Sequence, residues 1–372
     1  MSEVYFKKAA YDYPVLKPII FEMIDAMAGN RIQPKNRVLI KPNFLAPARP
    51  ESAILTHPLV VRAAAEYVLE KGGRPLVADS PGIGSFERIL KVGGFNAAFD
   101  KMSKHVEFKP FKETVKVNIG EPFGRIDIAR RAVESDVVIN LAKLKTHTQM
   151  LLTLGVKNLF GCIIGLKKPE WHMRSGVDRN MFARLLVQIY QAINPTLTLV
   201  DGILALEGQG PGSRGKPRHI GLLVGSRSGL SADTAICRML GIEFDKLPTL
   251  HAAKELGILD EELKIIGDFK AVSNYKLPDL GPLTFGPKPL QKYMRKHLIQ
   301  RPVAEPGLCK MCGECWKICP AGAITPYEKI IGFDYDRCIR CYCCIEVCPH
   351  AALQAIETLP GRLVRSLTKL DK

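Results

Sequence analysis

Asp136-Val-Val-Ile-Asn-Leu-Ala-Lys-Leu-Lys-Thr-His147 begins as a β-branched apolar run and ends in spaced cations. Residues 136–141 read as a short β-branched strand. Working outward, the same texture recurs. Residues 37–43 read as a strand and its exit, and 57–71 carry helical spacing stopped by Gly72-Gly73. Residues 74–80 read as a strand closed by the loop Pro81-Gly-Ile-Gly84, and 126–134 predict a helix just before the opening run. A helix over 181–193 ends at Asn194-Pro195, and strands over 197–202 and 219–224 precede a helix over 231–240. Alternation of this kind implies an α/β domain with a mostly parallel sheet flanked by helices. Ligands of such sheets sit beyond the carboxyl ends of strands, here 41–43, 79–80, 143–147 and 201–202.

The chain has 372 residues, 47% hydrophobic and 24% charged, which is a globular composition with room for about two domains. Its formal charge is +16. Residues 301–372 hold 10 basic and 8 acidic side chains, so nearly all the excess lies upstream. That excess points to anionic ligands or acidic partners. No apolar run reaches the roughly 18 residues of a membrane span, and the start Met1-Ser-Glu-Val-Tyr-Phe has no secretory h-region; the expectation is a cytoplasmic protein without a membrane span. Aromatic content is 7% and the cations are not interleaved with aromatics, which speaks against nucleic acid as a partner.

Nine of the 11 cysteines crowd between Cys309 and Cys348. Cys309-x-x-Cys312-x-x-Cys315-x-x-x-Cys319-Pro320 is repeated 29 residues later as Cys338-x-x-Cys341-x-x-Cys344-x-x-x-Cys348-Pro349. This is the ligand spacing of bacterial two-cluster ferredoxins, in which the fourth cysteine serves the other cluster. The expected cofactors are two 4Fe-4S clusters, one on Cys309, Cys312, Cys315 and Cys348, the other on Cys338, Cys341, Cys344 and Cys319. Zinc also takes Cys-x-x-Cys pairs, but two four-cysteine copies in register favour iron and sulfur. Cys343 has no counterpart in the first copy, where Glu314 stands, and is read as a neighbour of the ligands. The division of the chain is then an α/β domain over 1–285, a proline-rich basic connector over 286–304, a two-cluster α+β ferredoxin-like domain over 305–358, and a tail over 359–372.

The last 45 or so residues resemble the bacterial-type two-4Fe-4S ferredoxin domain, which implies one-electron transfer. Val38-Leu-Ile-Lys-Pro-Asn-Phe44, Asp79-Ser-Pro-Gly82, the run 136–147, Leu154-Gly-Val-Lys-Asn-Leu-Phe-Gly161 and Asp201-Gly202 resemble the family of domain of unknown function 362. Its members are described as iron-sulfur proteins without an established reaction. A more distant resemblance runs to the nickel-pincer lactate racemases, through Thr146-His147 followed by Gly155-Val-Lys157; Thr stands where that family has Pro, and its Gly-Gly-Lys stretch is absent.

Residues 137–169 contain no acid but hold Lys143, Lys145, His147, Lys157, Asn158, Lys167 and Lys168. Cations gathered at a strand end favour a carboxylate or phosphate. Lys143, Lys145, His147 and Lys157 are the candidate catalytic residues: Lys157, between apolar stretches, as base or electrostatic stabiliser, and His147 as acid/base, metal ligand or hydrogen-bonded strand-end residue. The phosphate-loop lookalike Gly210-x-x-x-x-Gly215-Lys216 lacks the hydroxyl residue, having Pro217. The leading expectation is an iron-sulfur redox enzyme or subunit passing electrons to or from an anionic small molecule or a redox partner protein. A non-enzymatic electron carrier or maturation factor is the second, and a non-redox enzyme distantly like the nickel-pincer racemases, with structural clusters, the third.

Overall fold

In the computed structural model, which describes residues 1–165, 167–175, 178–278, 297–361 and 363, the α/β domain contributes eleven of the described strands. They are β1 (Ser2–Lys8), β2 (Arg37–Lys41), β3 (Arg74–Asp79), β4 (Glu107–Pro110), β5 (Thr114–Asn118), β6 (Arg125–Ala129), β7 (Val137–His147), β8 (Leu151–Thr153), β9 (Leu197–Gly208), β10 (Gly215–Ser226) and β11 (Leu263–Gly267). One sheet runs β11-β1-β10-β9-β7-β2-β3-β4, with β8 added to the end of β7. Its central pairs β9·β7, β7·β2, β2·β3 and β3·β4 are parallel, while β10 is antiparallel to both of its neighbours.

Every residue of β7 is buried, because the sheet is covered on both faces. Val137, Ile139 and Leu141 pack with the helices Tyr13–Ala28 and Pro58–Glu70, whereas Val138, Ala142 and Leu144 face the helices Arg179–Ile193 and Gly229–Met239. Each such buried Val, Ile or Leu side chain contributes about 1.5–3 kcal/mol. His57 caps its helix by accepting from Leu59 N–H (3.3 Å), and Asn194 closes another with a left-handed backbone (φ 46°).

One sequence expectation is corrected. The helix predicted over 126–134 is a helix only from Arg130 to Glu134; the residues before it form β6, hairpin-paired with β5 through Val117 opposite Ile126. Ile126 and Ile128 are buried with period two, which a strand satisfies and a helix does not.

The cysteine module contains β12 (Arg301–Ala304), β13 (Ile324–Pro326), β14 (Ile331–Phe333) and β15 (Leu353–Ile356), and the short helices Glu314–Ile318 and Cys343–Glu346. Pairing crosses between the two sequence copies: β12 with β15 and β13 with β14. Residues 301–304, read from sequence as the end of the connector, therefore belong to this module, held by their ladder to β15. The connector's basic stretch, including Lys288, Lys292, Arg295 and Lys296, and the tail from 364 onward lie outside the described residues. No helix among the described residues is long and apolar enough to cross a membrane.

Candidate functional site

Lys41, Lys143 and Lys145 are at most 1% exposed at the strand ends. A buried ammonium without partners costs several kcal/mol, so each is held locally. Lys41 Nζ lies 2.9 Å from Asp79 Oδ1 and donates to Pro42 O (2.7 Å); Asp79 also accepts from Phe44 N–H and Ser80 N–H. A Cβ at Gly161 would stand 2.6 Å from Lys41 Nζ, so only glycine lets that loop close on the pair. Lys143 Nζ donates to Asp201 (2.8 Å) and Tyr11 (2.9 Å), and Asp201 also accepts from Tyr11 Oη and His57 N–H. Among the described residues Lys145 has only neutral acceptors, Asn43 Oδ1 and Ile54 O, both at 2.8 Å. Burial, then repulsion from Lys157 and Lys143, push its pKa well below the ordinary lysine range.

Between these strand ends and the cysteine module lies a cavity of about 280 Å³. Asn43, Lys145, Thr153, Lys157 and Lys168 line its α/β wall, and Ile318, Cys343, Glu346 and Val347 form the opposite wall. Lys157 stands on the short helix Gly155–Asn158, whose first two N–H groups donate to the buried Asp233 (2.8 and 3.1 Å). Burial raises Asp233 to about 7. Asn158 ties the same turn down through Asn140 Oδ1 (2.8 Å) and Asn43 (2.9 Å). Burial lowers Lys157 and takes Lys168 down to about 8.

His147 does not line the cavity; it bridges the modules. Its Nδ1 accepts from Gln149 N–H and Met150 N–H, which fixes the neutral tautomer with hydrogen on Nε2, 3.0 Å from Glu346 Oε1. Burial lowers it to about 4, consistent with a neutral ring. Burial alone would raise Glu346, but His147 and Lys157 beside it bring it down to about 2. Of the four candidates, the structure thus brings Lys145 and Lys157 into one cavity, sets His147 behind its wall, and gives Lys143 to the Tyr11–Asp201 group. Lys167 leaves the cluster to pair with Asp127.

The cysteines gather as two sets. Cys309, Cys312, Cys315 and Cys348 line one small cavity; Cys319, Cys338, Cys341 and Cys344 line another, with Cys343 beside them. The 29-residue repeat extends to the backbone. Left-handed residues recur in pairs: Met311 and Arg340, Gly313 and Tyr342, Gly322 and Ala351. Ala323 N–H donates to Cys319 Sγ (3.3 Å) as Ala352 N–H does to Cys348 Sγ (3.2 Å). Four thiols around each cavity with amides aimed at sulfur is a donor set that suits an iron-sulfur cluster. Cys312 is the exposed member of the eight, while Cys315 and Cys348 of the first set and Cys341 and Cys344 of the second are buried. Cys343 lines both the second cysteine cavity and the cavity between modules.

Sequence reasoning missed Glu346, Thr153 and His172 as site residues, and read Cys343 only as a neighbour of the ligands. Laying one cysteine copy on the other was the available signal: Glu314 becomes Cys343 and Lys317 becomes Glu346, one helical turn apart and both on the cavity wall. The phosphate-loop lookalike is instead a seat for the cysteine module. A Cβ at Gly212 would stand 2.8 Å from Glu346 O, and Arg214 donates to Gln354 (3.2 Å) and Glu305 (3.1 Å).

Residues 38–238 match the family described as Domain of unknown function (DUF362), and residues 301–349 match a 4Fe-4S dicluster domain. A thylakoid-associated protein of Synechocystis sp. is 37% identical over 284 residues, covering 75% of this chain and 88% of that protein. Pyruvate synthase subunit PorD of Thermotoga maritima is 41% identical over 63 residues, 17% of this chain and 61% of that subunit. The lactate racemase apoprotein of Thermoanaerobacterium thermosaccharolyticum overlays with a TM-score of 0.40 at 14% identity, covering 62% of this chain and 55% of that one.

Proposed function

Because the chain belongs to the family of domain of unknown function 362 and carries a 4Fe-4S dicluster domain, we propose that it is an iron-sulfur electron-transfer protein whose two clusters exchange electrons with an anionic ligand held between its modules. One observation carries this reading: a single cavity has Lys145, Lys157 and Lys168 on one wall and Cys343 and Glu346 of the cysteine module on the other. The ligand sets in this reading are Cys309, Cys312, Cys315 and Cys348 for the first cluster and Cys338, Cys341, Cys344 and Cys319 for the second. Each bound cluster takes up and returns one electron. The rest is done by the chain. Lys157 and Lys168 bring positive charge to the ligand, Asp233 and Asn158 hold the turn that presents Lys157, and Phe44 and Phe160 keep water out.

Cys312 and Cys343 give the module a polarity. Cys312 at the exposed end of the first set faces an outside redox partner, and the second set, through Cys343, abuts the ligand cavity. The likeness to a pyruvate synthase subunit supports a partner of the oxidoreductase kind. The name of the Synechocystis relative, a thylakoid-associated protein, supports a membrane surface, beside the cytoplasm, as a place of work. Anaerobically purified protein is expected to be brown and to give reduced-cluster EPR signals. Lys157→Ala should keep iron, sulfide and those signals but lose at least tenfold in turnover from a reduced artificial donor. A colourless, zinc-loaded protein, or full flux in the variant, sinks the reading.

A further inference from the structure

We infer that the cavity between the modules takes a small carboxylic acid with an apolar body, its carboxylate on Lys157 and Thr153 and its body reaching towards Cys343. The inference rests on the proposed function for the identity of this cavity as the ligand site and goes beyond it in naming the ligand's class. The cations around the cavity are not equally available. Lys41 is committed to Asp79, Lys145 to Asn43 and Ile54, and Lys168 to the carbonyls of Ser80 and Pro81. Lys157 donates to no oxygen among the described residues; Glu346 attracts it and Lys145 repels it. Two more polar atoms at the cavity have no partner: Thr153 Oγ1 and His172 Nδ1, on residues 4% and 5% exposed. A buried polar atom left unpaired costs about 1–3 kcal/mol, so these two atoms, beside the half-buried Lys157, form a contact set for something that binds there.

An ammonium and a hydroxyl suit a carboxylate, and the neutral imidazole of His172 adds one hydrogen-bonding position for a polar group on the adjoining carbon. A bare oxyanion satisfies those groups but not the rest of the surface. Leu45, Phe160, Pro211, Ile318 and Val347 make much of the remaining wall apolar, which a hydrocarbon body covers. At about 280 Å³ the cavity sits at the lower edge of the usual range for small-molecule pockets, which fits a metabolite-sized acid and not a dinucleotide. Glu346 Oε1 lies 3.0 Å from a neutral His147, so its negative charge stays at the cavity, and the ligand's carboxylate relies on Lys157 to offset both.

The test titrates anaerobically purified full-length protein, with iron content and reducibility measured on the same sample. Benzoate, cinnamate and isocaproate are each compared by calorimetry with the alcohol of the same skeleton and with inorganic phosphate. The expected result is that at least one acid binds ten times or more tighter than its alcohol and than phosphate. Lys157→Gln should erase the preference for acid over alcohol, and Thr153→Val should weaken the acid several-fold, both with iron content unchanged. Equal binding of phosphate, the same acid preference in Lys157→Gln, or no acid binding to protein that is fully loaded and reducible overturns the inference and leaves the electron-transfer reading standing. Loss of reducible iron in the wild-type protein is the failure of that reading instead.

Discussion

Lys41 and Asp79 show how the site is held up one residue at a time. Both are buried, and Asp79 also accepts two backbone N–H groups, so removing the lysine strands a carboxylate in the interior. Lys41→Met should destabilise the fold by about 3–5 kcal/mol in denaturant unfolding, and adding Asp79→Asn should recover part of the loss. Equal destabilisation by the double variant and the sum of the singles would count against the pair. Asp233 makes a pH prediction. Burial raises its folded pKa to about 7, above the 3.8 of a free aspartate, so its contribution is fully present below about pH 4 and is lost as pH rises through about 7. Asp233→Asn should remove that decline, seen as a Tm difference from wild type that shifts in the variant's favour from pH 5 to 8. A constant difference contradicts it. Lys145, His147 and Lys157 were legible in the sequence because they share one acid-free stretch. The fate of Lys143 was not, since its partners lie 58 and 132 residues away.

At the scale of elements, the doubled cysteine motif was readable through its spacing, and the strand β7 through its β-branched run. The hairpin β5–β6 was not, because 126–134 joins a period-two strand to one helical turn without a break residue between them. The loop joining β9 to β10, already unfit as a phosphate loop because of Pro217, is a seat for the module, a role set by tertiary approach at Gly212. Gly212→Val should push against the Glu346 carbonyl and loosen the seat. Hydrogen exchange across residues 343–348 should rise while iron content stays the same; unchanged exchange would mean that the approach is not tight.

Across the whole molecule, charge and burial point the same way. Of the chain's +16, residues 1–285 carry +10 and residues 286–300 another +4, and two oxidised clusters, each about −2 with its thiolates, would take the +2 of residues 301–372 to about −2. A basic domain thus meets a mildly acidic electron module, and the cavity lies where they join. Composition showed the two halves of this arrangement, but not the joint, because Glu346, Cys343 and His172 come together only through packing of the modules. The most direct measurement is an anaerobic crystal structure, with iron anomalous data, of protein purified without added ligand. The account predicts iron inside both cysteine sets and ligand density on Lys157 extending to Cys343. Iron absent from either set, or a cavity holding only water with Lys157 folded onto Glu346, would contradict it.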